Sequence, residues 1–533
     1  MGKSFRYPFL FVILTLGIVV GIQIEKVFSG DSLREGIRKF NDVLTYTEKF
    51  YIEEVDTPML VEEAIKGMFD KLDPHSVYIP AKQFENIEES FRGDFEGIGI
   101  EFQVVNDTLT VVSPITGGPS EALGIMSGDR IIKIEGEDCI GITNDEVRNK
   151  LRGEAGTKVS VSIIRTGVDE PIEYVITRDK IPIYSVDTHF MYDNKIGYVS
   201  VSRFSETTYD ELKEALNDLN NSGMEQLVLD LRGNPGGYLN QAVKISDLFI
   251  DGDKRIVYTR GRKEEFDEDY FASRQSEFEN VPLIILISKG SASASEIVSG
   301  AVQDWDRGLI AGETSFGKGL VQRQFPLFDN SAVRLTISKY YTPTGRSIQR
   351  NYENKEDYYS ELGNRQETES NNITHTAEKD SLRPVFTTEG GRTVYGGGGI
   401  TPDYIIPSEK LSDYTRDLLR NNIFYQFILK YTEKNGESLS SRFGDDLQKF
   451  RRDFSFSIDE QKQFIDFAKD KDVSFMEEDF AESKDYIFIR LKAQLARNYW
   501  KNEGWYTILL DVDTQFLKSV TLFDEAKDLA NLK

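Results

Sequence analysis

The chain has 533 residues, 39% of them hydrophobic, and a formal net charge of −25. Its length exceeds what one hydrophobic core holds and predicts about three or four units of ~150 residues each. The acidic balance excludes nucleic acid as a partner, because no long Lys/Arg stripe offsets repulsion from phosphate; Cys139, the only cysteine, excludes an intramolecular disulfide and a zinc–thiolate cluster.

Lys3 and Arg6 precede an uncharged apolar run from Tyr7 to Ile24. Its length is near the roughly 17 to 25 residues that span a bilayer, and the flanking positive charge keeps its N-terminal end cytoplasmic. No small-x-small cleavage pattern follows, which favours an uncleaved anchor over a removed signal peptide within residues 1–29. The expected location is therefore the cell envelope, either anchored in the inner membrane facing the periplasm or released into the periplasm.

Leu33, Ile37, Phe40, Leu44 and Tyr51 recur at helical spacing, and a second helical stretch runs from Pro58 to about Leu72, so residues 30–92 read as a helical region. Between Gly93 and Arg178 short β-rich runs (LTVVSP, KVSVSIIR) alternate with glycine turns and one helix near Glu146 to Leu151. This predicts a compact β-rich module over 93–180. From Ile196 strands alternate with helices. IGYVSV precedes a helix carrying Leu212, Leu216 and Leu219, with Thr208-x-x-Glu211 as its expected capping box and Gly223 as its stop. LVLDL (227–231) turns at GNPGG into a helix through Leu239 and Val243, and PLIILIS (282–288) turns at KGSAS into a helix through Ile297 and Val302. LIAG follows. Continuous apolar strands between helices predict an α/β core over 181–407, its mainly parallel sheet covered on both faces. Residues 351–383 are polar and read as a flexible insertion without a catalytic part. Residues 408–533 read as a helical region, with faces such as Ile487, Leu491 and Leu495.

Ligands of open α/β sheets gather at the C-terminal ends of strands, which singles out two turns. In the first, SKGSASASE (288–296), small residues let the backbone bend, and the following helix N-terminus offers free N–H groups with a partial positive charge. A serine there can attack a carbonyl whose oxyanion meets backbone donors; the plain alternative is an ordinary helix cap. Spacing leaves Ser291, Ser293 and Ser295 open. The second turn, Gly233 to Gly237, can add another backbone donor. The three histidines, His75, His189 and His375, all lie outside these turns, so a lysine base is the stronger expectation over a Ser-His-Asp triad. Desolvation can lower a lysine pKa by up to ~3 to 5 units from about 10.4. Lys318 sits on a glycine-flanked turn, SFGKG, just after LIAG.

SASASEI followed by GETSFGKGLVQ resembles the signature of the C-terminal processing peptidases, or tail-specific proteases. Lys318 follows Ser293 by 25 positions, the spacing of nucleophile and lysine base in that family, and this selects Ser293 from the three serines. LDPHSVYIP, FEGIGIEF, LRGNPGG, YYTPTGRSIQ and GGGITPD match the family pattern in order, over roughly residues 40 to 405. The resemblance implies a ClpP/crotonase-like α/β spiral core with Ser293 as nucleophile, Lys318 as base and Gln322 orienting the lysine. It implies an oxyanion hole from the N–H groups of Ala294, Gly236 and Gly237, with no cofactor and no metal. The 93–180 module is similar to the family's PDZ domain: Gly97, Ile98, Gly99 and Ile100 would receive a terminal carboxylate, and Ile98, Ile100, Val147 and Leu151 an apolar terminal side chain. The expected function is an exported serine endopeptidase that takes proteins or peptides by accessible apolar C-termini. The alternatives are a noncatalytic PDZ-containing peptide-binding protein and acyl-CoA chemistry on a crotonase-like fold. The C-terminal region lies outside the resemblance, and homodimer contact or partner docking is its expected role.

Overall fold

The computed structural model describes residues 31–273, 275–365 and 383–532; the expected membrane segment 7–24 and His375 lie outside them. Among the described residues no helix is long and apolar enough to cross a membrane. The chain divides into two units after Tyr78. The first holds helices Asp31–Phe50 and Thr57–Phe69. The second helix starts where Asp56 accepts the Met59 N–H at 3.0 Å and Pro58 presets the first turn. In the LDPHS motif Asp73 accepts the N–H groups of His75 and Ser76 and the Ser76 hydroxyl, which closes that turn.

The second unit begins at Ile79 and contains the β-rich module, the α/β core and the C-terminal helices. In the module, strands Ile100–Val105, Thr108–Pro114, Arg130–Ile134, Lys158–Ile164 and Ile172–Thr177 form an antiparallel sheet in that order. Leu109, Val111, Ile131 and Val161 fill its core. Its helix Asn144–Leu151 opens on a capping box: Glu146 N–H donates to the Thr143 hydroxyl while the Glu146 carboxylate accepts Thr143 N–H at 2.9 Å.

The core sheet runs Val186–Met191, Ile196–Val201, Gln226–Asp230, Leu283–Ile287, Leu309–Gly312, Tyr404–Ile405, parallel after the first hairpin. Side chains alternate across it. Val199, Leu229 and Ile285 share a cluster with Leu212 and Leu216 of helix Thr208–Asn221, Ala242 of helix Leu239–Ser246 and Val298 of helix Ala294–Asp304. Tyr198, Val228 and Ile284 face the other way and meet Leu510, Phe516, Phe523 and Ala526 from the end of the chain. The C-terminal region thus supplies the second layer over the sheet, and its remaining helices enclose an aromatic core around Phe427, Phe450 and Phe464.

Two local expectations are corrected. Helix Thr208–Asn221 has no Thr208/Glu211 capping box: Thr208 is already helical and its hydroxyl accepts Ser205 N–H, while Glu211 takes the N–H groups of Ser185 and Val186. Those two donors lie where the β-rich module joins the core, so a tertiary demand claims the carboxylate. The polar stretch after Arg350 is also partly ordered, as helix Lys355–Asn364. Arg350 is the reason: fully buried, it lies 4.6 Å over the Phe316 ring and 4.2 Å over the Tyr358 ring and donates to Tyr358 O. Average polarity does not register two such anchors.

Among the described residues the most buried charge pair lies at the C-terminal end of helix Ala294–Asp304. Arg346 and Asp304 side chains are both wholly buried with Nη2···Oδ1 at 2.7 Å, and Arg346 also donates to Gln303 Oε1 and Tyr395 O. Removing one member strands the other in a low-dielectric core. Arg346→Ala should therefore cost about 3 to 5 kcal/mol. Arg416→Ala, which breaks an exposed pair with Asp413, should cost far less; urea unfolding of both variants checks the difference.

Candidate active site

Strand Leu283–Ile287 ends in the turn that carries Ser291 and Ser293, and helix Ala294–Asp304, which starts directly after Ser293, carries Ser295 in its first turn. Ser293 has φ 53° and ψ −110°, a backbone conformation that costs a non-glycine residue about 1 to 3 kcal/mol. Ser291 Oγ donates to Leu231 O at 2.7 Å and Ser295 Oγ to Asn234 O at 3.0 Å, and both residues are fully buried. Ser293 is half-buried and lines a cavity of about 900 Å³. Of the three, only Ser293 reaches that space.

Asn234 locks the glycine turn to the serine turn. Its Nδ2 donates to Val201 O at 2.8 Å, its Oδ1 accepts Gly236 N–H at 2.9 Å, and its carbonyl accepts Ala292 N–H at 3.0 Å. Gly236 is pressed against the serine: a Cβ there would lie 2.8 Å from Ser293 Cβ and 2.9 Å from Ala294 N, and φ is +95°. Only glycine fits. The expectation that Gly236 offers its N–H to a ligand is corrected, since Asn234 already holds that hydrogen. The N–H groups of Ala294 and Gly237 have no acceptor among the described residues.

Lys318 stands on the loop after strand Leu309–Gly312, and its Nζ donates to Gln322 Oε1 at 2.9 Å. Both side chains line the same cavity as Ser293. What joins the two loops is Glu296, wholly buried three residues after Ser293. Its Oε2 accepts Ser293 N–H at 2.8 Å and Lys318 N–H at 2.9 Å; its Oε1 accepts Gly317 N–H at 2.7 Å and the Ser315 hydroxyl. Burial pushes its carboxyl above the ordinary range, against the downward pull of these donors. Tyr340, whose phenol is pushed well up by burial, donates to Ser293 O at 3.2 Å, and Phe316 N–H donates to Ser291 O at 2.8 Å. Sequence reasoning missed Glu296, Asn234 and Tyr340. Glu296 had a usable signal, the serine-x-x-glutamate spacing of a capping box; Tyr340 had none.

His189 is bonded to Asp218 across 3.3 Å and does not line the cavity, and His75 belongs to the first unit. Among the described residues no three His, Cys, Asp or Glu side chains gather into a metal-holding group. A hydroxyl on a strained turn, a lysine amine in the same cavity and unpaired backbone N–H groups at a helix N-terminus together suit acyl transfer.

A second cavity, of about 430 Å³, lies between edge strand Ile100–Val105 and helix Asn144–Leu151. Ile98, Gly99, Ile100 and Leu151 line it. Two expected members do not: Gly97 is held in a ladder opposite Asp179, and Val147 points into the module's core, wholly buried. On helix Asn144–Leu151 the one-turn spacing of Val147 and Leu151 places both on the inner side, but only the last turn opens onto the groove.

Family models match residues 195–359 (Peptidase family S41), 97–174 (PDZ domain), 22–83 (Activating protease CtpB N-terminal domain) and 414–501 (a family of unknown function). The Carboxy-terminal-processing protease of Bartonella bacilliformis is 39% identical over 342 residues, covering 63% of this chain and 78% of that one. The Carboxy-terminal processing protease CtpA of Bacillus subtilis is 36% identical, covering 64% and 74%. A solved photosystem II D1 C-terminal processing protease is 30% identical with a TM-score of 0.34, covering 58% of this chain and 83% of its own. Identity at that level, carried across more than three quarters of a full-length relative, means that this chain belongs to the carboxy-terminal processing proteases of peptidase family S41, serine-type peptidases with a PDZ domain.

Proposed function

We propose that Ser293 and Lys318 form the catalytic dyad of this peptidase, with Gln322 orienting the amine, and that the PDZ groove selects substrates by their C-termini. The observation that carries this reading is the bonding of Glu296 to both loops, which holds Ser293 and Lys318 at one cavity. The unprotonated Lys318 amine takes the Ser293 hydroxyl proton as Oγ bonds to the scissile carbonyl carbon. The oxyanion that forms is met by the N–H groups of Ala294 and Gly237. As the carbon–nitrogen bond breaks, the lysine returns its proton to the departing amine. Water, deprotonated by the same amine, then hydrolyses the seryl ester. Gln322 Oε1 accepts from Nζ and so sets the direction of its remaining lone pair or proton.

Ile98, Gly99 and Ile100 lie at the end of an open strand edge, where an extended peptide can add as a further strand with its carboxylate at the glycine loop. We read the uncharged run Tyr7 to Ile24 as the anchor of an exported body. The end of the C-terminal region, the expected homodimer contact, is packed on the core sheet, and the exposed stripe Leu33, Ile37 and Phe40 of helix Asp31–Phe50 is the alternative face for a homodimer.

On this reading, Ser293→Ala and Lys318→Ala lower turnover of an unfolded protein with an apolar C-terminus by about 10³-fold or more, while His189→Ala leaves it unchanged. Full activity in both dyad variants would remove Ser293 and Lys318 as the catalytic pair, whereas absence of turnover in the parent itself would leave the noncatalytic peptide-binding alternative. Activity of the parent should rise with pH, because only the unprotonated amine can accept the serine proton. Glu296→Gln places an NH₂ group against N–H donors and spreads the two loops, so kcat should fall about 10²-fold. The folded circular dichroism spectrum and the shape of the pH profile should be kept; a changed profile would show that Glu296 itself exchanges protons.

A further inference from the structure

Strand Ile100–Val105 alternates its side chains between two faces. Ile100 and Phe102 pack on the core of the PDZ domain. Glu101 and Gln103 point the other way, and there the C-terminal helical region meets them: Arg497 Nη2 donates to Glu101 Oε2 at 3.0 Å and Asn422 Nδ2 to Gln103 Oε1 at 2.5 Å. Arg497 is part of the wall of the peptide groove although it lies almost 400 residues further along the chain.

Its position is built. Helix Glu477–Leu509 is interrupted at Trp500 and Lys501, the latter at φ 50° and ψ −141°, a conformation that L side chains rarely adopt. The break carries Lys501 Nζ to Thr116 Oγ1 at 2.7 Å and Glu121 Oε1 at 2.8 Å. Arg497, one turn earlier, is thereby stapled beside Glu101. The charge is unusual for this molecule: in a chain of net charge −25, the groove is lined by Arg148, Arg152 and Arg497 against one carboxylate, Glu101. Arg148 is paired with Asp145 and Arg152 with Glu89, each outside the groove lining. Arg497 is paired inside it, through one nitrogen, which leaves further guanidinium N–H groups for a second carboxylate.

Given the C-terminus-binding reading of this groove, we propose that Arg497 is a specificity-determining residue that recognises an acidic side chain at the penultimate position of the substrate. The alternation of a paired strand assigns the position. If the terminal side chain shares the face of Ile98, Ile100 and Leu151, the residue before it shares the face of Glu101, where Arg497 sits. The groove is then composite: the PDZ domain supplies its apolar floor together with Arg148 and Arg152, and the stretch matched by a family of unknown function supplies Arg497.

The test uses the full-length Ser293→Ala chain and fluorescent peptides with one apolar terminal residue, differing only in Asp, Ala or Lys at the penultimate position. Anisotropy titrations should show the Asp peptide bound about 5- to 10-fold more tightly than the Ala peptide and the Lys peptide most weakly, with the ratio shrinking as salt is added. Arg497→Ala should bring the Asp/Ala ratio close to one. Arg497→Glu should invert the order to favour Lys, a result that misfolding cannot produce. A ratio near one in the parent, or a preference that survives Arg497→Ala, overturns the role of Arg497 while leaving the groove reading in place. An Asp peptide with an amidated C-terminus that binds as tightly as the free acid overturns the groove reading itself, and this inference with it.

Discussion

One buried carboxylate accepts hydrogen bonds from four groups on two loops that leave different strands of the same sheet. Glu296 is three residues from Ser293 on the helix that follows it, so the helix carries the carboxylate and the serine as a rigid pair. The loop bearing Lys318 then hangs from the same oxygens through Ser315, Gly317 and Lys318. Taking a carboxylate out of water is costly unless donors replace the water, and here a hydroxyl and three backbone N–H groups do so. The helix N-terminus adds a favourable field. This exchange couples the strained backbone at Ser293 to the position of the lysine, because neither loop can shift without leaving a buried charge short of partners.

Asn234 repeats the device on the other side of the serine. It ties strand Ile196–Val201, the glycine turn and the serine turn together through its side chain and its carbonyl. Together the two residues bring four strand ends to one point, where the N–H groups of Ala294 and Gly237 face the cavity. Arg232 continues the network outward, pairing with Asp230 on the sheet and with Asp513 from the C-terminal region.

The C-terminal region is consequently part of the enzyme's framework. Its last helices cover one face of the parallel sheet, and its long helix reaches the PDZ domain through Arg497 and Lys501. The contacts differ in kind. Against the sheet they are aromatic and fully buried; against the PDZ domain the hydrogen bonds and ion pairs are polar and partly exposed. Buried aromatic contacts resist separation, whereas exposed ion pairs exchange readily with water and salt. The region is therefore firmly joined to the catalytic core and more loosely to the domain that meets the substrate.

The sequence by itself determined the element types of the core, because continuous apolar runs bounded by glycine turns report burial along one element, and that burial holds whatever packs above. It also determined the order of motifs and the 25-residue spacing of Ser293 and Lys318. Periodicity was silent wherever a group had two eligible partners. Glu211 could cap its own helix or hold Ser185 and Val186, Gly236 could present its N–H or give it to Asn234, and Val147 could face the groove or the core; the first and last choices were settled by residues distant in the chain, and the second by a neighbour two residues away whose amide is itself fixed by Val201. The polar segment near Tyr358 and the C-terminal helices likewise had no visible role until the surfaces they cover were in place. Local composition records how much a residue tends to be buried, but which acceptor a donor finds is a property of elements brought together only by folding.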